Sequence, residues 1–86
     1  VNKSRRDEVM ANYCVVEGMT EDGRYYVGLN RQSVNGKWVL VDGITINCGK
    51  VEGESIVNEA LSITGVVTEN FIEVVETITN KGAVNG

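Results

Sequence analysis

The chain has 86 residues, contains no histidine and no proline, and carries a net charge of −4. This length allows one small domain with a core just large enough to be self-sufficient. The acidic total disfavours broad electrostatic capture of nucleic acid or of an anionic membrane surface. No apolar run approaches the roughly 18 residues that span a bilayer, so we expect no membrane partner.

The charge is unevenly distributed along the chain. Residues 1–50 carry seven basic and six acidic side chains, whereas residues 51–86 carry one basic and six acidic side chains. The pattern predicts a solvated acidic surface in the second half and leaves room for a local basic patch in the first. We divide the chain into a flexible N-terminal arm (1–8), a single small domain (9–79) and a C-terminal tail (80–86).

The first half is typical of antiparallel strands separated by glycine turns. The segment RYYVGLN alternates with a period of two and places Tyr25, Val27 and Leu29 on one face. The dipeptide at 35–36 is Asn-Gly, the strongest signal for a type I′ hairpin turn. The next segment, KWVLVDG, ends in Asp-Gly, which is either another tight turn or a bulge within one long strand over residues 37–48.

The second half is ambiguous between helix and strand. Ser55 is a plausible N-cap for a short helix over residues 55–64, which Gly65 would end. Residues 66–79, VVTENFIEVVETIT, fit a helix capped by Asn70 with a buried stripe at Phe71, Val74, Val75 and Ile78. Their load of valine, isoleucine and threonine fits strands better, and strands are the preferred prediction.

Two fold classes follow, both β-rich α+β. The strand interpretation predicts a small antiparallel sheet or a five-stranded barrel like the oligonucleotide/oligosaccharide-binding (OB) fold, with one short helix over about 55–64. The helix interpretation predicts a three- or four-stranded antiparallel sheet packed on two C-terminal helices.

Catalysis is not expected. Without histidine the chain lacks the usual general base and the Ser/Cys–His nucleophile pairs. The carboxylates lie in turns or are dotted along the acidic half, and no nucleotide-binding or calcium-loop motif is present. We therefore predict no catalytic residue, no metal site and no cofactor.

Aromatic and basic residues gather between positions 23 and 43. Arg24, Tyr26, Arg31, Lys37 and Trp38 would form a face suited to stacking on bases or sugars if the strands turn these side chains outward. The alternative for Trp38, the only tryptophan, is a core anchor, and this role is the preferred one.

Two cysteines, Cys14 and Cys48, are too widely spaced and too few to form a zinc site. They would either form one disulfide or remain two reduced, buried thiols on neighbouring strands, and the sequence leaves both alternatives open.

Some fragments resemble the C-type lectin fold. YYVGLN and NGKWVLVDG are similar to its WIGL and W-x-W-V-D-G segments, and ENFIEV to the stretch that carries its later calcium ligands. The family's Glu-Pro-Asn motif is missing and Tyr26 replaces its tryptophan, so no site residues are carried over and no family is assigned.

The function expected from the sequence is that of a non-catalytic interaction module that contacts a protein partner or copies of itself. The alternative is an OB-like domain that binds single-stranded nucleic acid or glycan through the aromatic and basic residues of the hairpin. The sequence indicates no cellular compartment.

Overall fold

The structure is a computed structural model that describes the backbone of residues 3–6 and 12–85 and the side chains of residues 12–81. Within these residues four strands precede two helices: β1 (Lys3–Arg6), β2 (Tyr13–Met19), β3 (Tyr25–Gln32), β4 (Trp38–Ile46), α1 (Lys50–Thr64) and α2 (Phe71–Asn85). The strands pair antiparallel in the order β1-β2-β3-β4. This open sheet with two C-terminal helices confirms the second predicted fold class, and the five-stranded barrel is not formed.

The ends of the chain differ from the predicted arm and tail. β1 lies inside the predicted arm, and α2 continues through residues 80–85 of the predicted tail. Residues 1–2, 7–11 and 86 lie outside the described residues, and with them the remainder of the predicted arm.

The β2–β3 and β3–β4 turns share one sequence pattern, TEDGR at 20–24 and SVNGK at 33–37. In the second turn, the Gly36 N–H donates to the Ser33 carbonyl at 2.9 Å. The turn therefore spans residues 33–36, and its last residue, Gly36, has a positive φ of +86°. This is the arrangement of a three-residue loop closed by a glycine bulge, so the predicted type I′ turn at Asn35-Gly36 is wrong by one position.

The Asp-Gly dipeptide of β4 is not a turn but follows a bulge within one continuous strand. β4 is continuous, but its pairing with β3 shifts where Leu29 faces Asp42 and Asn30 faces Leu40, which leaves Val41 as the extra residue. A bulge of this kind reverses which residues of a strand point to each face. Consequently Ile44 and Ile46 share a face with Leu29, while Trp38 and Leu40 lie on the other.

The core lies between the sheet and the two helices. The predicted inward set is confirmed, since Tyr25, Val27 and Leu29 are at most 1% exposed. They pack in one cluster with residues of β2, β4, both helices and the α1–α2 loop: Val15, Ile46, Val57, Ala60, Val67, Phe71, Ile72 and Val75.

α1 begins at Lys50, five residues before the predicted N-cap at Ser55. Its N-cap is Gly49, which offers no side-chain hydrogen bond, so the helix start has no recognisable capping signal in the sequence. The end matches the prediction: Gly65 has φ +74° and donates its N–H to the Leu61 carbonyl at 2.9 Å.

The preferred strand prediction for 66–79 is wrong, because residues 71–85 form α2. Helical spacing places Phe71, Ile72 and Val75 in the core, a burial no single strand face could give. The helix also accommodates its threonines, since Thr77 and Thr79 donate their hydroxyls to carbonyls four residues earlier at 2.9 and 2.8 Å. Tertiary packing overrides the strand propensity of these β-branched residues.

Candidate functional site

Arg24 belongs to the β2–β3 turn and is held there by its own loop. Its Nε and Nη2 approach Asp22 Oδ2 at 2.9 and 2.7 Å. Thr20 donates its hydroxyl to Asp22 Oδ1, and this bond, followed by the one from Arg24, lowers the pKa of the Asp22 carboxyl. Arg24 therefore stabilises the turn through its ion pair with Asp22.

Arg31, Lys37 and Trp38 lie at the opposite end of the sheet. Arg31 and Lys37 are exposed, and Trp38 is half-buried beside the second turn. The seven residues from Arg24 to Arg31 span about 23 Å of extended chain. The structure thus splits the predicted basic residues into two groups, one at each end of β3.

Tyr26 faces away from the helices, as predicted, but it does not stand beside Trp38. Tyr26 pairs with Thr45, whereas Trp38 pairs with Gln32, six residues further along β3 and about 20 Å away. Trp38 is outside the buried core cluster, so its predicted role as core anchor is wrong. The two aromatic side chains share a face without forming one stacking platform.

The Tyr26 ring lies down across a pair of glycines. Gly28 and Gly43 are directly opposite each other on β3 and β4. A Cβ at Gly28 would approach Tyr26 Cε2 to 2.9 Å, and a Cβ at Gly43 would approach the Tyr26 hydroxyl to 2.6 Å. The absence of side chains at these two glycines leaves room for the Tyr26 ring to lie over the strands.

The face that carries Tyr26 is named here the outer face, because both helices pack on the other side of the sheet. Directly opposite residues of antiparallel strands share a face, so the strand pairing determines which residues belong to the outer face. On β2, β3 and β4 these outward positions are Cys14, Val16, Gly18, Tyr26, Gly28, Asn30, Gln32, Trp38, Leu40, Gly43 and Thr45. None of them carries a charge. The solvated face of an antiparallel sheet is ordinarily polar, which makes this face unusual.

The middle of β4 is apolar and exposed, but of its three apolar residues only Leu40 belongs to the outer face, since Val39 pairs with Arg31 on the helix side and Val41 is the bulge residue. Val39, Leu40 and Val41 are 51%, 58% and 51% exposed. β4 is an edge of the sheet formed by the described strands, and exposed apolar edges favour association with other chains. Single exposed apolar side chains are common on proteins, but three in succession on an edge strand are not.

One carboxylate lies within the core. Glu17 of β2 is completely buried, and the Tyr25 hydroxyl donates to its Oε1 at 2.6 Å. This bond ties β2 to β3 beneath the helices. Because both residues of the pair are buried, we interpret the bond as structural, and it does not contribute to the outer face.

The two cysteines are free thiols. Cys14 lies in the row of Asn30 and Leu40, whereas Cys48 follows Ile46, which pairs with Tyr25 at the other end of the sheet. The five residues between these rows span about 17 Å, and a disulfide needs Cα atoms within about 7 Å. The predicted alternative of a disulfide is therefore not formed. Burial first and then the charge of Glu52 raise the pKa of the Cys48 thiol.

The described side chains contain no group of three or more His, Cys, Asp or Glu residues placed to hold a metal ion. Neither helix, over the residues described, is long and apolar enough to cross a membrane. No family model, no curated protein and no solved structure matches this chain.

The sequence predictions missed most of the outer face. They singled out Tyr26 and Trp38 but not Val16, Leu40 or the Gly28–Gly43 pair. A usable signal was present: the two-residue period, applied to all three strands together, leaves the outward positions without a charge. The bulge hid this signal in β4, because it changes the parity of that strand after Leu40.

Proposed function

We propose that this chain is a non-catalytic interaction module that binds a protein surface through its outer face. The observation that carries the proposal is the absence of charge from all outward positions of β2, β3 and β4, beside the exposed apolar edge of β4. The centres of protein interfaces are depleted in charged residues and enriched in aromatic ones. The outer face has both properties.

The energetics favour a protein partner over a charged polymer. Covering the outer face buries no charged side chain of β2–β4, so binding avoids the desolvation penalty that buried charges carry. Its exposed apolar groups, led by Leu40, gain free energy when they leave water. The acidic residues of α1 and α2 lie on the opposite side, where they keep the free protein soluble.

The test compares one substitution on the outer face with one elsewhere. Leu40→Lys places a charge at a site that is 58% exposed, and Val51→Lys does the same at a site on α1 that is 83% exposed. Both should leave the fold intact, as judged by circular dichroism. The immobilised protein and its two variants are then used to capture partners from a lysate of the source cells, with each captured band identified by mass spectrometry.

We expect the wild type and Val51→Lys to capture the same protein, and Leu40→Lys to lose it. Capture that is identical for all three proteins would contradict a role for the outer face. A wild type that neither captures a protein nor associates with itself would contradict the proposed function altogether.

The second function expected from the sequence, binding of single-stranded nucleic acid or glycan, has less support from the geometry. Its five residues do not converge: Arg24 is paired with Asp22 at one end of the sheet, and Lys37 and Trp38 lie at the other. Titration of short oligonucleotides against Trp38 fluorescence tests it directly. Salt-sensitive binding would favour this alternative over the protein-interaction module.

A further inference from the structure

We propose that the occupant of the outer face is a second copy of this chain, in a two-fold dimer whose sheets pack face to face. This inference rests on the proposed function and adds the identity of the partner. A two-fold dimer uses the same patch on both copies, so the patch must be complementary to itself. An uncharged patch meets this condition without any rearrangement of charges.

Charge is the first argument for a second copy. Each copy carries a net charge of −4, so two copies repel each other unless their carboxylates stay apart. Contact through the outer faces places the acidic helices on the far sides of the dimer. The helix layers of the two copies are then roughly 30 Å apart, with the two sheets between them. This distance is well beyond the screening length of about 8 Å at physiological salt.

The absence of complementary charge also argues against a charged partner. An acidic peptide would need basic groups on the outer face, and a basic peptide would need acidic ones. Among the outward positions of β2–β4 there are only apolar, glycine and neutral polar residues. β1 borders this set, and its backbone pairs Ser4 with Val16 and Arg6 with Cys14.

Shape is the second argument. Two sheets that pack face to face lie about 10 Å apart, and their side chains must interdigitate. The Tyr26 ring does not project into this space, since it lies over Gly28 and Gly43. The centre of the outer face is therefore low and flat, and Val16 and Leu40 flank it on β2 and β4. Such a surface fits its own two-fold copy.

The available area sets the strength of the dimer. Three strands of seven to nine residues cover roughly 15 by 25 Å of sheet plane at ordinary strand spacing. Two copies thus bury on the order of 750 Å² together, which is below the roughly 1,200 Å² of specific stable interfaces and in the range of weak, transient contacts. We therefore expect a reversible dimer that dissociates on dilution, not a permanent one.

Sedimentation equilibrium of the wild type over about 1 µM to 1 mM tests for a dimer of this strength. Val16→Lys and Leu40→Lys should each raise the dimer dissociation constant at least tenfold. Val51→Lys on α1 should leave it unchanged. Val16 distinguishes two geometries, because β2 is an interior strand of the sheet: loss of the dimer in Leu40→Lys alone would indicate pairing of β4 edges and would overturn the face-to-face arrangement.

A second measurement needs no substitution and so does not depend on the folding of a variant. Methyl resonances of Val16 and Leu40 in the wild type should shift with protein concentration, while those of Val51 should not. A wild type that stays monomeric to 1 mM, with static Val16 and Leu40 resonances, overturns the inference. If that monomer still captures a partner that Leu40→Lys loses, the proposed function stands and only the identity of the occupant is wrong.

Discussion

The contact between Gly53 and Tyr25 allows a sharp test of how α1 is seated on the sheet. A Cβ at Gly53 would lie 2.3 Å from Cγ and Cδ2 of the Tyr25 ring and 2.8 Å from Cδ1. Ordinary carbon contacts begin near 3.5 Å, so Gly53→Ala requires a displacement of about 1 Å. Tyr25 cannot easily provide it, because the ring is 1% exposed and its hydroxyl is bonded to Glu17.

Two opposing contributions decide the size of the effect. Alanine improves helix propensity over glycine by about 1 kcal/mol in a helix interior. Overpacking of a filled core costs about 1–3 kcal/mol, and the upper part of that range applies where two ring atoms are met at once. We therefore expect Gly53→Ala to lower the free energy of unfolding by about 2 kcal/mol, the opposite of what helix propensity alone predicts.

Urea unfolding followed by far-ultraviolet circular dichroism measures this difference. The control is Gly49→Ala at the N-cap, where a Cβ meets nothing within 4 Å; because glycine caps a helix better than alanine does, we expect this variant to lose about 0.5–1 kcal/mol, clearly less than Gly53→Ala. In a Tyr25→Ala background the ring is gone, and Gly53→Ala should become neutral or stabilising. A Gly53→Ala protein at least as stable as the wild type, or an equal loss with and without the ring, would refute the reasoning.

Three further outcomes are expected in urea unfolding. Tyr25→Phe removes the donor to buried Glu17 and should cost about 2 kcal/mol; a loss below about 0.5 kcal/mol would mean that the bond is dispensable. Gly36→Ala forces alanine to φ +86° and should cost about 1 kcal/mol, and an unchanged midpoint would contradict this. Because the pKa of Cys48 is raised in the folded state, chiefly by burial and then by Glu52, the unfolded chain loses its thiol proton first. Stability should therefore fall as pH rises through the ordinary thiol range, and Cys48→Ser should lessen that fall; an identical pH dependence in the variant would exclude the thiol as its source.

Local sequence patterns determined the strands and the turns of this protein. The two-residue period of β3 predicted the inward set led by Tyr25. Gly23 and Gly36 marked the β2–β3 and β3–β4 turns, because only a few residue types tolerate positive φ. Gly65 likewise marked the end of α1. The lack of histidine and of recognised motifs also followed directly from the residues, and from it the expectation of a non-catalytic chain.

Only the tertiary structure showed that residues 71–85 form a helix and that α1 begins at Lys50. Phe71, Ile72 and Val75 become helical because one helix face can bury all three against the sheet, whereas their β-branched neighbours favour a strand locally. Gly53 looks like a helix breaker in the sequence. In the fold it is the residue that lets α1 approach the ring of Tyr25.

The candidate site depended on both levels. The residues Tyr26 and Trp38 could be chosen from composition, but their separation along β3 and the pairing of Arg24 with Asp22 could not. The bulge at Val41 determined which β4 residues join the outer face, and a bulge is a property of strand pairing that one strand's sequence does not reveal. The sequence thus determined that these positions carry no charge, whereas the register of the strands determined that they lie together on one flat face.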